Sequence, residues 1–452
     1  MKPPMNIVVI CTDQHRNGFL GADGGGLVQT PALDSLAARG VRFTRSYCTS
    51  PLCCPSRSSF VTGLMPNSTG VTTNGMAVRE GIPTFGTVLR GSGYGTYWTG
   101  QYDLPMDYPV ETDKTPGFTY LPYPDRDSVG GGYPLRIKGH PGHWKYETGA
   151  YSDAFTAGVA TRFLLQKHDR PFLLVVSFTN PHDICFPDLY EREGEFPPDE
   201  LSPLPANFEP PIGEPDLLAS IRWSHEGSAK PARGWDSAGW QRALSIYTRL
   251  VGRVDREIGK VISAIDKAGL GESTAVIYTA DHGEGGGSHK WIGKLAPYEE
   301  SVGVPMIVAW PGRVPAGTVD DRALVSGLDI MPTICAIAGA TPPPGLSGVD
   351  LTGPNRNGRE CVFASMFPVW AESTEEWRMA RTDRYKYVAC SSGAVREALF
   401  DLVRDPGETR NIAGEPAARG ELARHRNLLC DFMRSSGDDS PGFGWIGGTG
   451  KG

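Results

Sequence analysis

The sequence predicts an α/β protein built on a mostly parallel sheet, followed by a smaller α+β unit. Three observations carry this. Short apolar, often β-branched runs alternate with segments of helical periodicity, the pattern of strands buried on both faces and covered by helices. The apolar runs end in chemistry-bearing residues: Asp13-Gln14, Gln101-Tyr102-Asp103, Pro181-His182 and Asp281-His282. A proline run, Thr341-Pro342-Pro343-Pro344-Gly345, then separates this alternating part from a tail with two strand-like runs and one helix. The expected division is a large α/β domain over 1–345 and a small subdomain over 346–452.

Residues 6–10 read as the first strand, with Asp13 and Gln14 just beyond it, where ligands bind in open α/β sheets. Residues 30–40 carry their own punctuation. Thr30 can cap, Pro31 suits the first helical position, and Gly40 suits the residue past the end. Leu33, Leu36 and Ala37 form the buried stripe. Residues 41–43 lead toward a cysteine-containing segment, residues 84–90 read as a helix, and 94–100 as the next strand. Residues 103–149 are rich in Pro, Gly and Tyr without periodicity, which is long for a connection and expected to serve a site.

Residues 151–168 read as a helix and 172–178 as a central strand. Residues 186–240 read as a proline-rich excursion over the pocket mouth. The strongest helical signal covers 242–270, where Tyr247, Leu250, Val251, Val254, Ile258, Val261, Ile262 and Ile265 recur with helical spacing. Residues 274–279 are another buried strand. In the tail, 379–388 and 399–406 read as paired strands and 422–433 as their helix.

Composition excludes some functions. The chain of 452 residues is 39% hydrophobic and 21% charged, as a soluble globular protein is. A net charge of -7 argues against a nucleic-acid partner, which needs a basic face. A local cationic pocket for an anion remains compatible with it. The nine cysteines are odd in number and show no paired metal-ligand spacing, so they read as mostly reduced core residues. No leader of ordinary length and no membrane-spanning run is visible, so a cytoplasmic protein with no membrane partner is expected.

The segment richest in chemistry is Ser50-Pro51-Leu52-Cys53-Cys54-Pro55-Ser56-Arg57, leading through a helix-compatible run to Thr62-Gly63. Together with Asp281-His282-Gly283 and the later His289 and Lys294, it resembles the sulfatase family over most of the chain. The resemblance implies an alkaline phosphatase-like three-layer sandwich with a small C-terminal α+β subdomain. It implies that a maturation enzyme oxidises Cys53 to formylglycine. One hydroxyl of the aldehyde hydrate then attacks sulfur, and the other later expels sulfate from a covalent sulfated intermediate. Asp13, Gln14, Asp281 and His282, with the Cys53 side chain, would hold one divalent metal. Calcium is the expected ion, with manganese or magnesium as alternatives. Arg57, one helical turn after Cys53, and Lys294 would hold the sulfate. His182 would protonate the leaving oxygen, and His289 and Gln101 would face the substrate, a small-molecule or glycan sulfate ester.

One departure stands out. Where many sulfatases carry Gly-Lys-x-His, this chain has Gly100-Gln101-Tyr102-Asp103. That motivates two competing readings: a phosphonate monoester or phosphodiester hydrolase with the same nucleophile, and a relative that binds sulfated ligands without chemistry. The released alcohol and the subunit count stay open.

Overall fold

The computed structural model describes residues 5–103, 117–121, 149–186, 197, 200–223, 232–369 and 374–446. Of the two long connections expected to serve the site, 103–149 falls largely outside this set, at 104–116 and 122–148, whereas 186–240 is described except at 187–196, 198–199 and 224–231. Fourteen strands in three sheets are described. The large domain contributes β1 (Asn6–Asp13), β2 (Val41–Phe43), β3 (Ser46–Tyr47), β4 (Gly95–Gly100), β5 (Thr119–Tyr120), β6 (Phe172–Pro181), β7 (Thr274–Ala280), β8 (Met306–Ala309), β9 (Thr318–Asp320) and β10 (Val325–Ser326). Eight of these form one sheet in the order β5-β4-β6-β1-β7-β8-β2-β9, and β10 pairs separately with β3. Within the large sheet only β8 runs antiparallel to its neighbours.

Strand alternation builds the layers. Side chains of period two point to opposite faces. Ile7, Val9 and Cys11 therefore join Leu173, Val175, Ala275 and Ile277 on one face, under the helices Cys53–Thr62, Phe85–Gly91 and Ile330–Ala338. Val8 and Ile10 join Leu174, Val176, Val276 and Tyr278 on the other, under Pro31–Ala38, Gly149–Leu164 and Ser237–Lys267. The result is a three-layer sandwich. Burying each Val or Ile side chain contributes roughly 1.5–3 kcal/mol relative to leaving it exposed. A parallel sheet covered on both sides thus needs near-continuous apolar strands, as seen here.

Two end signals act differently from expectation. The Thr30 hydroxyl donates to Asp34 Oδ1 and accepts from Gly21 N, so it braces the preceding loop instead of capping the first turn. Gly40 is not a left-handed terminator. A Cβ there would stand 2.3 Å from Val308 O, so glycine is required by close approach to β8. The long helix starts five residues earlier than its periodicity suggests, because the Asp236 side chain accepts from Gly239 N at 2.9 Å and caps it.

The C-terminal sheet is antiparallel in chain order: β11 (Val362–Met366), β12 (Trp377–Arg381), β13 (Tyr385–Cys390) and β14 (Glu397–Asp401). β11 has no counterpart in the sequence reading. The helix Arg419–Ser436 covers one face through Leu422, Leu429 and Met433. The other face packs Trp377, Met379 and Phe400 against Trp291, Leu295 and Tyr298 of the large domain. Beyond the proline run, Leu346, Val349 and Leu351 still pack on the large core. Among the described residues no helix is long and apolar enough to cross a membrane.

Candidate active site

Cys53 is the first residue of the helix Cys53–Thr62, all of which is buried although half its side chains are polar. The polar groups are satisfied locally: Ser58 and Ser59 donate to Pro55 O, and Thr62 to Ser58 O. Gly63 ends the helix in the left-handed region, at φ 74. The helix N-terminus and its partial positive charge are thereby held at position 53. This N-terminus meets the carboxyl ends of β1, β4 and β7.

The convergence is close. Cys53 Sγ lies 3.3 Å from His282 Nε2 and 3.9 Å from Asp13 Oδ1, and it accepts from Lys294 Nζ at 2.9 Å. Arg57 reaches the carboxylates with its planar fork. Nε donates to Asp281 Oδ2 at 2.9 Å, Nη2 to Asp13 Oδ2 at 3.4 Å, and Nη1 to Ser177 Oγ at 2.8 Å. Gln101 Nε2 donates to Asp13 Oδ2 at 2.7 Å and also to Asp103. Gln101 and Asp103 thus line the place where the family resemblance led one to look for lysine and histidine.

Burial dominates the electrostatics. It pushes the Asp13 carboxyl well above its usual range, and the neighbouring Asp281 adds to this. Burial works the same way on Asp281, but His282, Arg57 and Lys294 overcome it and hold that carboxyl below its usual range. Burial pushes His282 down to about 4. The Cys53 thiol is raised by burial and by Asp13.

Not every predicted residue joins this cluster. His289 turns away: φ values of 56 at His289 and 53 at Lys290 redirect the chain. Its backbone N donates to Asn207 O at 2.7 Å, its Nε2 lies 3.9 Å from Glu300 Oε2, and its ring packs 4.1 Å from that of Tyr298. It stands with Glu300 and Glu408 in a second polar cluster. His182 stands at the end of β6 in the turn His182–Cys185, edge-on to Phe186 with ring centroids 5.7 Å apart. Gln14 follows Asp13 directly, and its backbone N donates to Asp281 Oδ1 at 3.0 Å.

Three participants were missed. Ser177 anchors Arg57, Cys185 touches the Gln14 amide, and Glu284 accepts from it. Each lies one or a few positions from a residue that was named. The polar Ser177 inside an apolar strand, and the acid in Asp281-His282-Gly283-Glu284, were the available signals.

Asp13, Cys53, Asp281 and His282 offer ligand atoms that all lie within 4.8 Å of one another, and all four residues are buried. Two buried carboxylates beside one imidazole are a donor set that fits a hard divalent cation, which would also relieve the strained ionisation of Asp13.

A carboxylate–imidazole cluster at the ends of parallel strands, facing a buried lysine and arginine across a helix N-terminus, marks a hydrolase of the alkaline phosphatase-like superfamily. The family model for sulfatases matches residues 5–340, and that for the C-terminal region of N-sulphoglucosamine sulphohydrolase matches 287–431. The chain belongs to the sulfatase family and is a hydrolase of sulfuric esters. It is similar to a Delta 4,5-hexuronate-2-O-sulfatase of Bacteroides thetaiotaomicron, 28% identical over 452 residues, covering 96% of this chain and 90% of that protein. It is similar also to a choline-sulfatase of Rhizobium meliloti, 30% identical, covering 97% of this chain and 88% of that one. Among solved structures, a 2-O GAG sulfatase superposes with a TM-score of 0.82 at 27% identity, covering 96% of this chain and 93% of that one. The phosphonate monoester hydrolase of Agrobacterium radiobacter superposes with a TM-score of 0.76 at 26% identity, covering 95% and 96%.

Proposed function

We propose that this chain hydrolyses sulfate monoesters of a glycan or small molecule, with Cys53 matured to formylglycine as nucleophile. One divalent ion, calcium in the first instance, would be held by Asp13, Gln14, Asp281, His282 and the matured side chain. The observation that carries the reading is the meeting of Cys53, two buried carboxylates, His282 and Lys294 at one sheet edge. The Sγ atom of Cys53 stands in for the hydroxyl oxygens that the aldehyde hydrate carries on the same Cβ. That hydrate supplies the nucleophile and, after transfer, an exit that a thiol lacks. The ion, when bound, lowers the pKa of the attacking hydroxyl.

The remaining roles belong to the chain. Lys294 Nζ, 2.9 Å from position 53, holds an oxygen of the sulfuryl group. Arg57 orients Asp13 and Asp281 and contributes charge toward the same anion. His182 gives a proton to the departing alcohol, since its ordinary pKa is close to neutral. The test uses protein matured in a host that carries a formylglycine-generating enzyme. Cys53→Ala abolishes turnover of an aryl sulfate while the melting temperature stays the same; retained turnover refutes the assignment.

One observation favours a second reading, a phosphonate monoester or phosphodiester hydrolase. Gln101 supplies an amide, bound to Asp13 and Asp103, in place of a sulfate-binding cation. Comparing kcat/KM for an aryl sulfate, an aryl phosphonate monoester and a phosphodiester decides between them. Faster turnover of either phosphorus ester overturns the first reading.

A further inference from the structure

We infer that Glu284 is a positioning residue that fixes which end of the Gln14 amide faces the metal centre. The inference rests on the proposed metal site and adds to it a residue outside its ligand set.

Glu284 is fully buried and spends both carboxylate oxygens on fixed donors. Oε1 accepts from Gly286 N at 3.0 Å and from Gly293 N at 2.7 Å, while Oε2 accepts from Gln14 Nε2. With Oε1 taken by two backbone N–H groups, the amino end of the Gln14 amide is the end that faces Oε2. The carbonyl end is then left to offer oxygen; the Cys185 sulfur lies 3.3 Å from both ends of the amide and does not choose between them. The Gln14 backbone has no freedom to compensate. Its N donates to Asp281 Oδ1 at 3.0 Å, its O accepts from Tyr247 at 2.7 Å, and its φ of 71 lies in the left-handed region that non-glycine residues avoid. What remains undecided by the backbone is the flip of the amide, and Glu284 decides it. The bond from Gly293 N places the same carboxylate one residue before Lys294, so it steadies the cation at Cys53 as well.

Glu284→Gln is isosteric and separates this role from simple packing. The new side chain keeps the glycine N–H bonds with its oxygen and turns its amino group to Gln14. Gln14 must then flip, presenting an amino group where an oxygen is needed. The double swap Gln14→Glu with Glu284→Gln restores an acceptor facing a donor and returns an oxygen to the metal side.

The experiment titrates Ca2+, Mg2+ and Mn2+ calorimetrically into metal-stripped, unmatured protein and follows the ion that wild type binds most tightly. Glu284→Gln is expected to weaken that ion on the order of 10–100-fold, the usual cost of losing a ligand's orienting partner, with the metal-free melting temperature little changed. The double swap is expected to recover most of the affinity. Affinity of Glu284→Gln within about threefold of wild type, or a double swap as weak as the single, overturns the inference. If Glu284→Gln does not fold, the double swap decides alone: binding near wild type supports the role and absent binding removes it. If wild type itself binds none of the three ions, the metal centre fails first and the role of Glu284 with it.

Discussion

Two buried ionic clusters draw residues from the loop between Asp281 and Glu300, and they use similar residues to opposite ends. In the one at Cys53, Lys294 Nζ donates to the Cys53 thiol at 2.9 Å and lies 3.4 Å from His282 Nε2. Among the described residues it has no carboxylate within ion-pair distance. In the other, Lys386 Nζ lies 2.8 Å from Glu299 Oε1 and 2.8 Å from Glu408 Oε1, and donates to Pro297 O at 3.0 Å. Glu300 there accepts from Asn207 and faces Arg16 and His289. His289, Glu300 and Glu408 have the residue types of a metal site, but the cluster neutralises itself with Lys386, Arg16 and Arg381. The lesson concerns pairing. A buried cation saturated by carboxylates ties two domains together, whereas one aimed at a nucleophile is available for an anionic substrate.

The comparison can be broken most sharply at the two lysines. Lys294→Met is expected to lower kcat/KM on an aryl sulfate by roughly 10²–10³-fold, as for loss of one preorganised donor, with an unchanged or raised melting temperature. A similar loss of stability would show that Lys294 is structural. Lys386→Met leaves Glu299 and Glu408 without their shared cation and is expected to cost about 3–5 kcal/mol of stability, read by denaturant unfolding. A cost under about 1 kcal/mol would remove the contrast.

A pH experiment sharpens the second cluster. Burial, helped by Glu299 and Glu300 and opposed by Lys386, pushes the Glu408 carboxyl up to about 8. Its folded pKa therefore exceeds the ordinary value of 4.5. The stability it contributes is present at low pH and is lost as pH rises toward about 8, because the unfolded chain releases the proton first. Glu408→Gln keeps the neutral form. Its melting temperature should gain on wild type between about pH 4.5 and 8 and then level off; a difference independent of pH would count against this. The smallest effect is expected at the exposed pair Arg434–Asp431, with side chains 77% and 72% exposed, where Arg434→Ala should change stability by less than about 1 kcal/mol.

Much of this was readable in residue order. The helix Cys53–Thr62, the apolar strands β1, β6 and β7, and the polar residues at their ends follow from local propensity and period-two or helical spacing. Asp13, Cys53, Arg57, Asp281, His282 and Lys294 were all named from their motifs, and the fold brings them within contact of one another. β11 was not, because Val362-Phe363-Ala364-Ser365-Met366 carries no turn signal linking it to β12 across the intervening segment.

The sequence by itself determined the layer architecture, the site's chemical class and the strand ends where the site lies, because burial periodicity and motif spacing are local properties. Only the tertiary structure decided that Glu284 would hold Gln14, 270 positions away. It also sent His289 to Asn207 and Glu300, and reserved Lys294 for position 53 while Lys386 took the carboxylates. The physical reason is that a buried polar group must find a partner, and periodicity states that a residue is buried without stating what it will meet.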